Sequence, residues 1–310
     1  MLSRVPMWQE LLQRLQQHDH KALARCISLV ENEVKGYEHF LQDLPAGTSA
    51  VVTGITGPPG AGKSTLVDDL ISEWVSQHKK VGVLCVDPSS PFNLGALLGD
   101  RIRMSNWYNH PDVFIRSLAT RGSLGGLHPH IIEITSVMQA AGFDHIIVET
   151  VGVGQSEIEI AGLADVTIVV VVPEAGDEIQ TMKAGLMEIE DIFVVNKSDR
   201  PDADAFVKNL RLMLAPAFSR TAQEIPVIKT NALQKEGIEE LVQKIDTYLQ
   251  QGSLPGRRAW LLTERAYQLI QQHKMKDIHK EALHQSIALA YQQPGFNLYQ
   301  YVYSHFFTEQ

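Results

Sequence analysis

The spacing of apolar residues changes along the chain and divides it into regions of different predicted structure. Between residues 7 and 40, apolar side chains recur three or four positions apart, which predicts amphipathic helix with a break near residues 18–20. From residue 50, short β-branched runs alternate with helical stretches, which is typical of parallel strands joined by crossover helices. Pro45 and Gly47 indicate a linker before this region, and a second break follows at residues 251–256.

The alternating region predicts an α/β fold with a mostly parallel central sheet flanked by helices. Strands are expected at residues 50–53, 81–86, 145–149, 166–172, 192–195 and 227–230. Helices are expected at residues 64–77, 129–141, 178–187, 202–214 and 238–249. A long loop is expected between the second strand and the second helix of this series.

These patterns predict three regions: an N-terminal helical arm at 1–47, a central α/β domain at 48–250 and a C-terminal helical extension at 251–310. The two flanking regions are too short to bury separate cores, so we expect each to pack on the central domain or on another chain. The extension ends in aromatic residues, for which packing or dimer contact is favoured over stacking on nucleic acid.

Composition narrows the possible partners. The 310 residues include 27 basic and 36 acidic side chains, a net charge of −9, with no local basic patch. A chain of this charge has no general attraction for nucleic acid or an anionic membrane. The longest apolar run, near residues 166–172, is far shorter than the roughly 20 residues of a membrane span. The two cysteines fit a reducing compartment. The N-terminal segment has acidic residues and lacks the apolar stretch of a secretory signal, so we expect a cytoplasmic protein.

A glycine-rich motif follows the first predicted strand and opens the next helix. Residues 57–64 fit the P-loop pattern GxxxxGKS, whose backbone N–H groups surround phosphate oxygens at the positive end of a helix. Lys63 is expected to reach the β- and γ-phosphates, and the Ser64 hydroxyl to bind Mg²⁺. The predicted phosphate-binding residues are Gly57, Pro58, Pro59, Gly60, Ala61, Gly62, Lys63, Ser64 and Thr65.

A second motif indicates which base is bound. Asn196, Lys197 and Asp199 belong to the sequence NKSD, which follows a predicted strand and so lies on the sheet edge where ligands of open α/β sheets bind. The Asp199 carboxylate can accept hydrogen bonds from the ring imino and exocyclic amino groups of guanine, whereas adenine offers neither donor. The motif therefore predicts GTP rather than ATP. The residues expected to close the guanine pocket are Asn231, Ala232 and Leu233.

Three acidic residues are candidates for binding magnesium and ordering water. Asp87 and Glu149 each end a predicted strand on the same sheet edge, and Asp100 lies in the loop after Asp87. Mg²⁺ keeps several waters and usually takes one or two carboxylates, so some of these acids would act through water. Asp100 is equally well explained as a solvated loop residue.

Two histidines and two longer segments are further candidates for a functional role. His128 and His130 flank a proline at the start of a predicted helix, and at this spacing they are not expected to face one metal site. Residues 87–104 and 173–183 are segments of the kind that a γ-phosphate and Mg²⁺ can order. Asp177, in the second segment, is equally consistent with a helix start.

Together the motifs resemble those of the MeaB/ArgK family, SIMIBI-class GTPases that act as chaperones for adenosylcobalamin-dependent acyl-CoA mutases, chiefly methylmalonyl-CoA mutase. The resemblance spans about residues 30–250 and keeps the order of the motifs. The segments that carry it are residues 57–65, 86–90, 98–101, 117–127, 149–157, 176–180 and 196–199. Asn231, where the family usually has serine, and Glu174, where small residues are commoner, depart from the pattern.

The resemblance implies a GTPase that binds GTP and Mg²⁺, hydrolyses GTP slowly alone and is stimulated by the mutase. It implies a homodimer formed through residues 257–310 and switch regions at residues 87–104, 149–157 and 173–183. No cobalamin site is identifiable in the chain.

The resemblance also assigns catalytic roles. Asp87, Asp100 and Glu149 would form the acidic cluster for magnesium and water. Asp177 and Lys183 would complete catalysis when the mutase docks, with Lys183 supplying the charge that an arginine finger supplies elsewhere.

Two other classes of protein remain open. A kinase or transport-linked ATPase would need to tolerate adenine, and Asp199 argues against it. A nickel-type metallochaperone GTPase would need a cluster of cysteines and histidines, and the two cysteines, Cys26 and Cys85, show no metal-binding spacing.

Overall fold

The computed structural model describes residues 5–47, 49–87, 104–120, 127–150, 156–174, 190–221, 225–251 and 257–307. The chain divides into two compact units, residues 1–261 and residues 262–310. The first unit contains a central sheet covered by helices, and the second is helical.

The described part of the chain contains a seven-stranded sheet in which every pair of neighbouring strands is parallel. In chain order the strands are β1 (Val51–Thr56), β2 (Val81–Asp87), β3 (Val113–Ala119), β4 (His145–Glu149), β5 (Val166–Val171), β6 (Ile192–Val195) and β7 (Val227–Lys229). Their order across the sheet is β3-β2-β4-β1-β5-β6-β7. The predicted α/β class with a parallel central sheet is confirmed.

The helices of the first unit lie before and between these strands. They are α1 (Val5–Gln16), α2 (His20–Glu31), α3 (Tyr37–Gln42), α4 (Lys63–Ser76), α5 (Ile131–Ala140), α6 (Ser156–Leu163), α7 (Ala203–Thr221) and α8 (Ile238–Gln250). A single 3₁₀ turn, Ser105–Trp107, precedes β3 in the described residues. The remaining helices are α9 (Arg257–Met275), which crosses the boundary between the units, and α10 (Lys280–Tyr291) and α11 (Leu298–Phe306) of the second unit.

The N-terminal arm packs on the sheet domain, as its length requires. Asp19 lies within the predicted break and caps α2, where its side chain accepts hydrogen bonds from the N–H groups of Lys21 and Ala22. The apolar face of α2 is fully buried and shares one core with α5 and with residues of β1, β2 and β4. A second core lies between the sheet and helices α4 and α8.

The structure differs from the sequence prediction at an edge of the sheet. Residues 113–119, expected as loop, form β3, whose ends are buried and whose centre is half-buried. The charged Arg116 interrupts the apolar pattern of this strand. Its guanidinium donates a hydrogen bond of 2.5 Å to Glu31 of α2, which accommodates the charge. Helix α6 was also not expected, and the helix predicted at residues 178–187 lies outside the described residues.

Parallel strands bring their carboxyl ends to one edge of the sheet, and the predicted motifs follow β1, β2, β4, β6 and β7 there. Within the part of the chain that the structure describes, no helix is long and apolar enough to cross a membrane.

Candidate functional site

The phosphate loop connects β1 to α4, and its glycines have conformations that other residues adopt only with strain. Gly57, Gly60 and Gly62 have φ angles of 137°, 79° and 89°. A Cβ added at Gly57 would lie 2.0 Å from the carbonyl oxygen of Val170 in β5, and one at Gly62 would lie 2.3 Å from Nδ2 of Asn196. Glycine is therefore required both by the backbone turn and by two close approaches.

Lys63, the first residue of α4, is turned back into this loop. Its Nζ donates to the carbonyl oxygens of Gly57 at 2.7 Å and Pro58 at 3.1 Å. The residue is 7% exposed. A buried ammonium at the positive end of a helix gives the loop a concentrated positive charge, which suits an anionic ligand.

Two buried carboxylates end neighbouring strands of the sheet, and one of them contacts the first turn of α4. Ser64 Oγ donates to Oε1 of Glu149 at 2.8 Å. Glu149 ends β4 and Asp87 ends the adjacent β2, where they are 4% and 7% exposed. A hydroxyl and two carboxylates are the oxygen donors that Mg²⁺ prefers, so these residues fit the ion that the sequence predicts.

Some predicted site residues are not placed. Asp100, Asp177 and Lys183 lie outside the described residues. Among the described residues, no group of three or more histidine, cysteine or acidic side chains is arranged to hold a metal ion. Of the predicted acids, the structure describes Asp87 and Glu149, which end the adjacent strands β2 and β4.

Asn196 joins the phosphate loop to two loops at the carboxyl edge of the sheet. Its Nδ2 donates to the carbonyl oxygen of Ala61 at 2.9 Å. Its Oδ1 accepts from Thr230 Oγ1 at 3.1 Å and from the N–H group of Ala232 at 3.2 Å. The side chain thus braces the region after β7 against the phosphate loop, and Asn196 is 2% exposed.

Lys197 of the NKSD segment also contacts the phosphate loop. Lys197 has a φ of 56°, and its Nζ donates to the carbonyl oxygen of Gly60 at 2.7 Å. Asp199 is exposed at the end of the segment, which leaves its carboxylate accessible to a ligand. Of the predicted pocket residues after β7, Asn231 and Ala232 are buried and Leu233 is 87% exposed.

One ion pair beside this site could not be predicted from the sequence. Glu174, three residues past β5, pairs with Arg200, which directly follows Asp199. The hydrogen bond from Arg200 holds the pKa of Glu174 below its usual value. The only sequence signal was the unusual glutamate at position 174, which did not identify its partner.

His128 and His130 lie close together without forming a metal-binding group with other described residues. Their ring centroids are 5.9 Å apart, and His130 lies 3.2 Å from carboxylate oxygens of both Glu33 and Glu133. Both histidines precede Ile131, where α5 begins, so the spacing of helical residues does not apply to them. They belong to a polar cluster between the arm and α5.

The site combines a glycine loop between a strand and a helix with a lysine and a serine at the end of that loop. An NKSD segment lies on the same sheet edge. These features define a P-loop protein of the GTPase class. Residues 23–287 match the family model described as "Methylmalonyl Co-A mutase-associated GTPase MeaB". The chain belongs to this family.

Individual relatives agree with this assignment. A putative GTPase of Pyrococcus abyssi is 51% identical over 243 residues, which cover 77% of this chain and 75% of that protein. A Geobacillus kaustophilus protein named fused isobutyryl-CoA mutase is 39% identical over 237 residues, which cover 72% of this chain and 22% of that protein. The crystal structure of an LAO/AO transport system kinase aligns over 97% of this chain and 96% of its own, with a TM-score of 0.66 and 26% identity.

Proposed function

We propose that this GTPase is a chaperone that gates adenosylcobalamin loading into an adenosylcobalamin-dependent acyl-CoA mutase, and that it protects the loaded mutase. The observation that carries the proposal is the relative named fused isobutyryl-CoA mutase, in which a segment 39% identical to this chain makes up 22% of a much longer protein. Fusion keeps two activities together when they act on one process. The description of the matching family favours methylmalonyl-CoA mutase as the partner.

In this proposal the guanine nucleotide binds along the carboxyl edge of the sheet. Asp199 reads the guanine edge, the N–H groups of residues 57–65 bind the phosphates, and Lys63 neutralises charge on the β- and γ-phosphates. Asn231, Ala232 and Leu233 border the base. The exposure of Asp199 and the brace at Asn196 support this placement.

Hydrolysis in this proposal depends on Ser64 and the acids beside it. Ser64, Asp87, Glu149 and Asp100 would hold Mg²⁺ directly or through water, and the ion would offset the charge of the phosphates. Asp87 and Glu149 are buried at adjacent strand ends, where they can orient water.

Partner stimulation is assigned to the third switch region, residues 173–183. Asp177 and Lys183 would be brought to the nucleotide when the mutase docks, and a cation supplied in this way accelerates related hydrolyses by about 10³–10⁵. A nucleotide shifts the equilibrium between two conformations only if it binds one of them more tightly than the other. In this proposal GTP and GDP favour different conformations, which bind the mutase with different affinity.

We assign homodimer formation to the C-terminal extension. Its helices expose large apolar side chains, among them Tyr291 at 73% and Tyr299 at 77%. The other large apolar residues exposed on α10, α11 and their ends are Leu289, Leu298, Tyr303, Phe306 and Phe307. Large exposed apolar surface is typical of interfaces between proteins.

The test is turnover of GTP and of ATP by the purified protein, with and without an adenosylcobalamin-dependent methylmalonyl-CoA mutase. We expect GTP-selective hydrolysis that rises several-fold with the mutase. Lys63→Ala should abolish turnover in both conditions, whereas Lys79→Ala, at an exposed lysine on the loop after α4, should leave it unchanged.

Other outcomes would contradict parts of the proposal. GTP hydrolysis indifferent to the mutase would remove this partner and point to another acyl-CoA mutase or metalloenzyme. ATP turnover as fast as GTP turnover would contradict the role of Asp199 and favour a kinase or transport-linked ATPase.

A further inference from the structure

The loop after β7, which borders the proposed guanine pocket, is a small closed unit. Two backbone hydrogen bonds between Asn231 and Glu236, of 3.1 Å and 3.2 Å, close residues 231–236 into a hairpin. At its start, the N–H group of Ala232 is held by Asn196. The position of the hairpin therefore affects the residues that border the base.

The other end of this hairpin reaches the helix that begins at the phosphate loop. Lys235 has a φ of 58°, a left-handed conformation that is strained for a residue with a side chain. Its Nζ lies 3.5 Å from Oγ of Ser72 in α4. The strained backbone thus directs a positive charge toward α4.

Asp69 lies one helical turn before Ser72 and is buried, with 4% of its surface exposed. Its Oδ2 atom finds no hydrogen-bond partner among the described residues. The neighbouring Asp68 is satisfied differently, because it accepts a hydrogen bond from Trp107 Nε1 at 2.6 Å. Asp69 is therefore a buried acid with one oxygen that no described residue hydrogen-bonds.

The charge of Asp69 is set by burial and by Lys235. Burial raises the pKa of Asp69 to about 6, while the positive charge of Lys235 lowers this pKa and the negative charge of Asp68 raises it. His145 of β4 stacks on Trp74 of α4, and burial lowers its pKa to about 4, so it is neutral when Asp69 titrates. The charged residues at exposed positions of α8, which packs on α4, are Glu239, Glu240, Lys244 and Asp246.

We propose that Asp69 is a positioning residue for guanine nucleotide binding: its buried carboxylate attracts the Lys235 ammonium and holds residues 231–236 against α4, so that nucleotide affinity depends on the charge of Asp69. The inference rests on the proposed guanine site. An ionised carboxylate is disfavoured in a buried position, so its attraction to Lys235 is gained at a cost in fold stability.

The charge of Asp69 is thus proposed to strengthen nucleotide binding while it lowers fold stability. A purely structural role would not produce these opposite effects. Asp69→Asn keeps the shape of the side chain and removes its charge, so near neutral pH it should raise the unfolding temperature and weaken nucleotide binding together. A residue needed only for packing would lower both stability and affinity when changed. In the wild type, affinity should fall as the pH drops through about 6.

The experiment is titration of the protein with a fluorescent GDP analogue from about pH 5 to about pH 8, beside thermal unfolding of each variant. Near neutral pH, Asp69→Asn and Lys235→Met should each raise Kd by about threefold, as expected for a charge pair with one exposed partner. The double variant should bind no more weakly than either single variant. Affinity of Asp69→Asn should not change near pH 6. Asp246→Asn, the same change at an exposed acid of α8, is the matched control and should behave as the wild type.

Three results would overturn the inference: unchanged affinity in Asp69→Asn, loss of affinity accompanied by a lower unfolding temperature, or additive effects in the double variant. If Asp69→Asn does not fold, the Kd of Lys235→Met, a change at an exposed position, is the deciding measurement, and an unchanged Kd would overturn the inference. Failure of the proposed guanine site looks different, because the wild type would then bind no GDP analogue at any pH, which would overturn both.

Discussion

Replacing Asn196 by alanine tests the brace between the phosphate loop and the loops that follow β6 and β7. The side chain is 2% exposed and makes three hydrogen bonds, to Ala61, Thr230 and Ala232, of 2.9, 3.1 and 3.2 Å. Each such bond contributes about 1 kcal/mol, and partners left buried without a bond cost more. We therefore expect Asn196→Ala to lower the free energy of unfolding by about 3 kcal/mol.

The same change should weaken nucleotide binding. Ala61 lies in the phosphate loop and Ala232 in the loop proposed to border the base, so removing the brace allows both to move independently. Loss of about 1.4 kcal/mol of preorganisation corresponds to a tenfold rise in the Kd for GDP. Urea denaturation gives the stability change, and titration with a fluorescent GDP analogue gives the change in Kd.

Two further variants make this reasoning refutable. Thr230→Val removes one of the three bonds and should cost about 1 kcal/mol. Asn209→Ala, at an exposed position of α7, is the matched control and should stay within about 0.5 kcal/mol of the wild type. A loss below about 1 kcal/mol in Asn196→Ala, with unchanged nucleotide affinity, would show that the brace has no role in the site.

The remaining predictions concern the base, the partner and pH. Asp199→Asn should weaken GTP binding and admit xanthine nucleotides, and competition binding that shows unchanged GTP affinity would contradict the guanine assignment. Lys183→Ala should keep GTP affinity but lose stimulation by the mutase in a turnover assay, and normal stimulation would exclude it from catalysis. Burial lowers the pKa of His145 from 6.5 to about 4. As the pH falls, His145 is protonated in the unfolded chain before it is protonated in the folded protein, and this favours unfolding. The wild type should therefore lose about 3 kcal/mol of stability between pH 6.5 and about 4 relative to His145→Gln, measured by urea denaturation. Equal pH dependence of the two proteins would contradict this.

Local sequence was enough to predict much of the fold. Six of the strands and the arm helices follow from periodic apolar residues, because burial on one face of a helix or on both faces of a parallel strand leaves a pattern in neighbouring positions. Strand β3 was missed because Arg116 interrupts that pattern. Its charge is accommodated by Glu31, which is 85 positions away and cannot be recognised locally.

In the candidate site, too, some features could be predicted from the sequence and others could not. The glycines of the phosphate loop and the residues of NKSD were recognised because each forms a short motif whose backbone conformation and chemistry depend on adjacent residues. The roles of Asn196 as a brace and of Glu174 as the partner of Arg200 could not be predicted, since both depend on contacts between separate loops.

The sequence by itself thus determined the α/β class of fold, and it predicted the phosphate loop and the preference for guanine from short contiguous motifs. Only the tertiary structure decided that Asn196 joins three loops, that His128 and His130 lie among glutamates, and that Asp69 is buried one helical turn from Ser72, which Lys235 approaches. The physical reason is that hydrogen bonds and charge interactions act between atoms close in space. The order of strands in the sheet brings residues together that lie far apart in the chain.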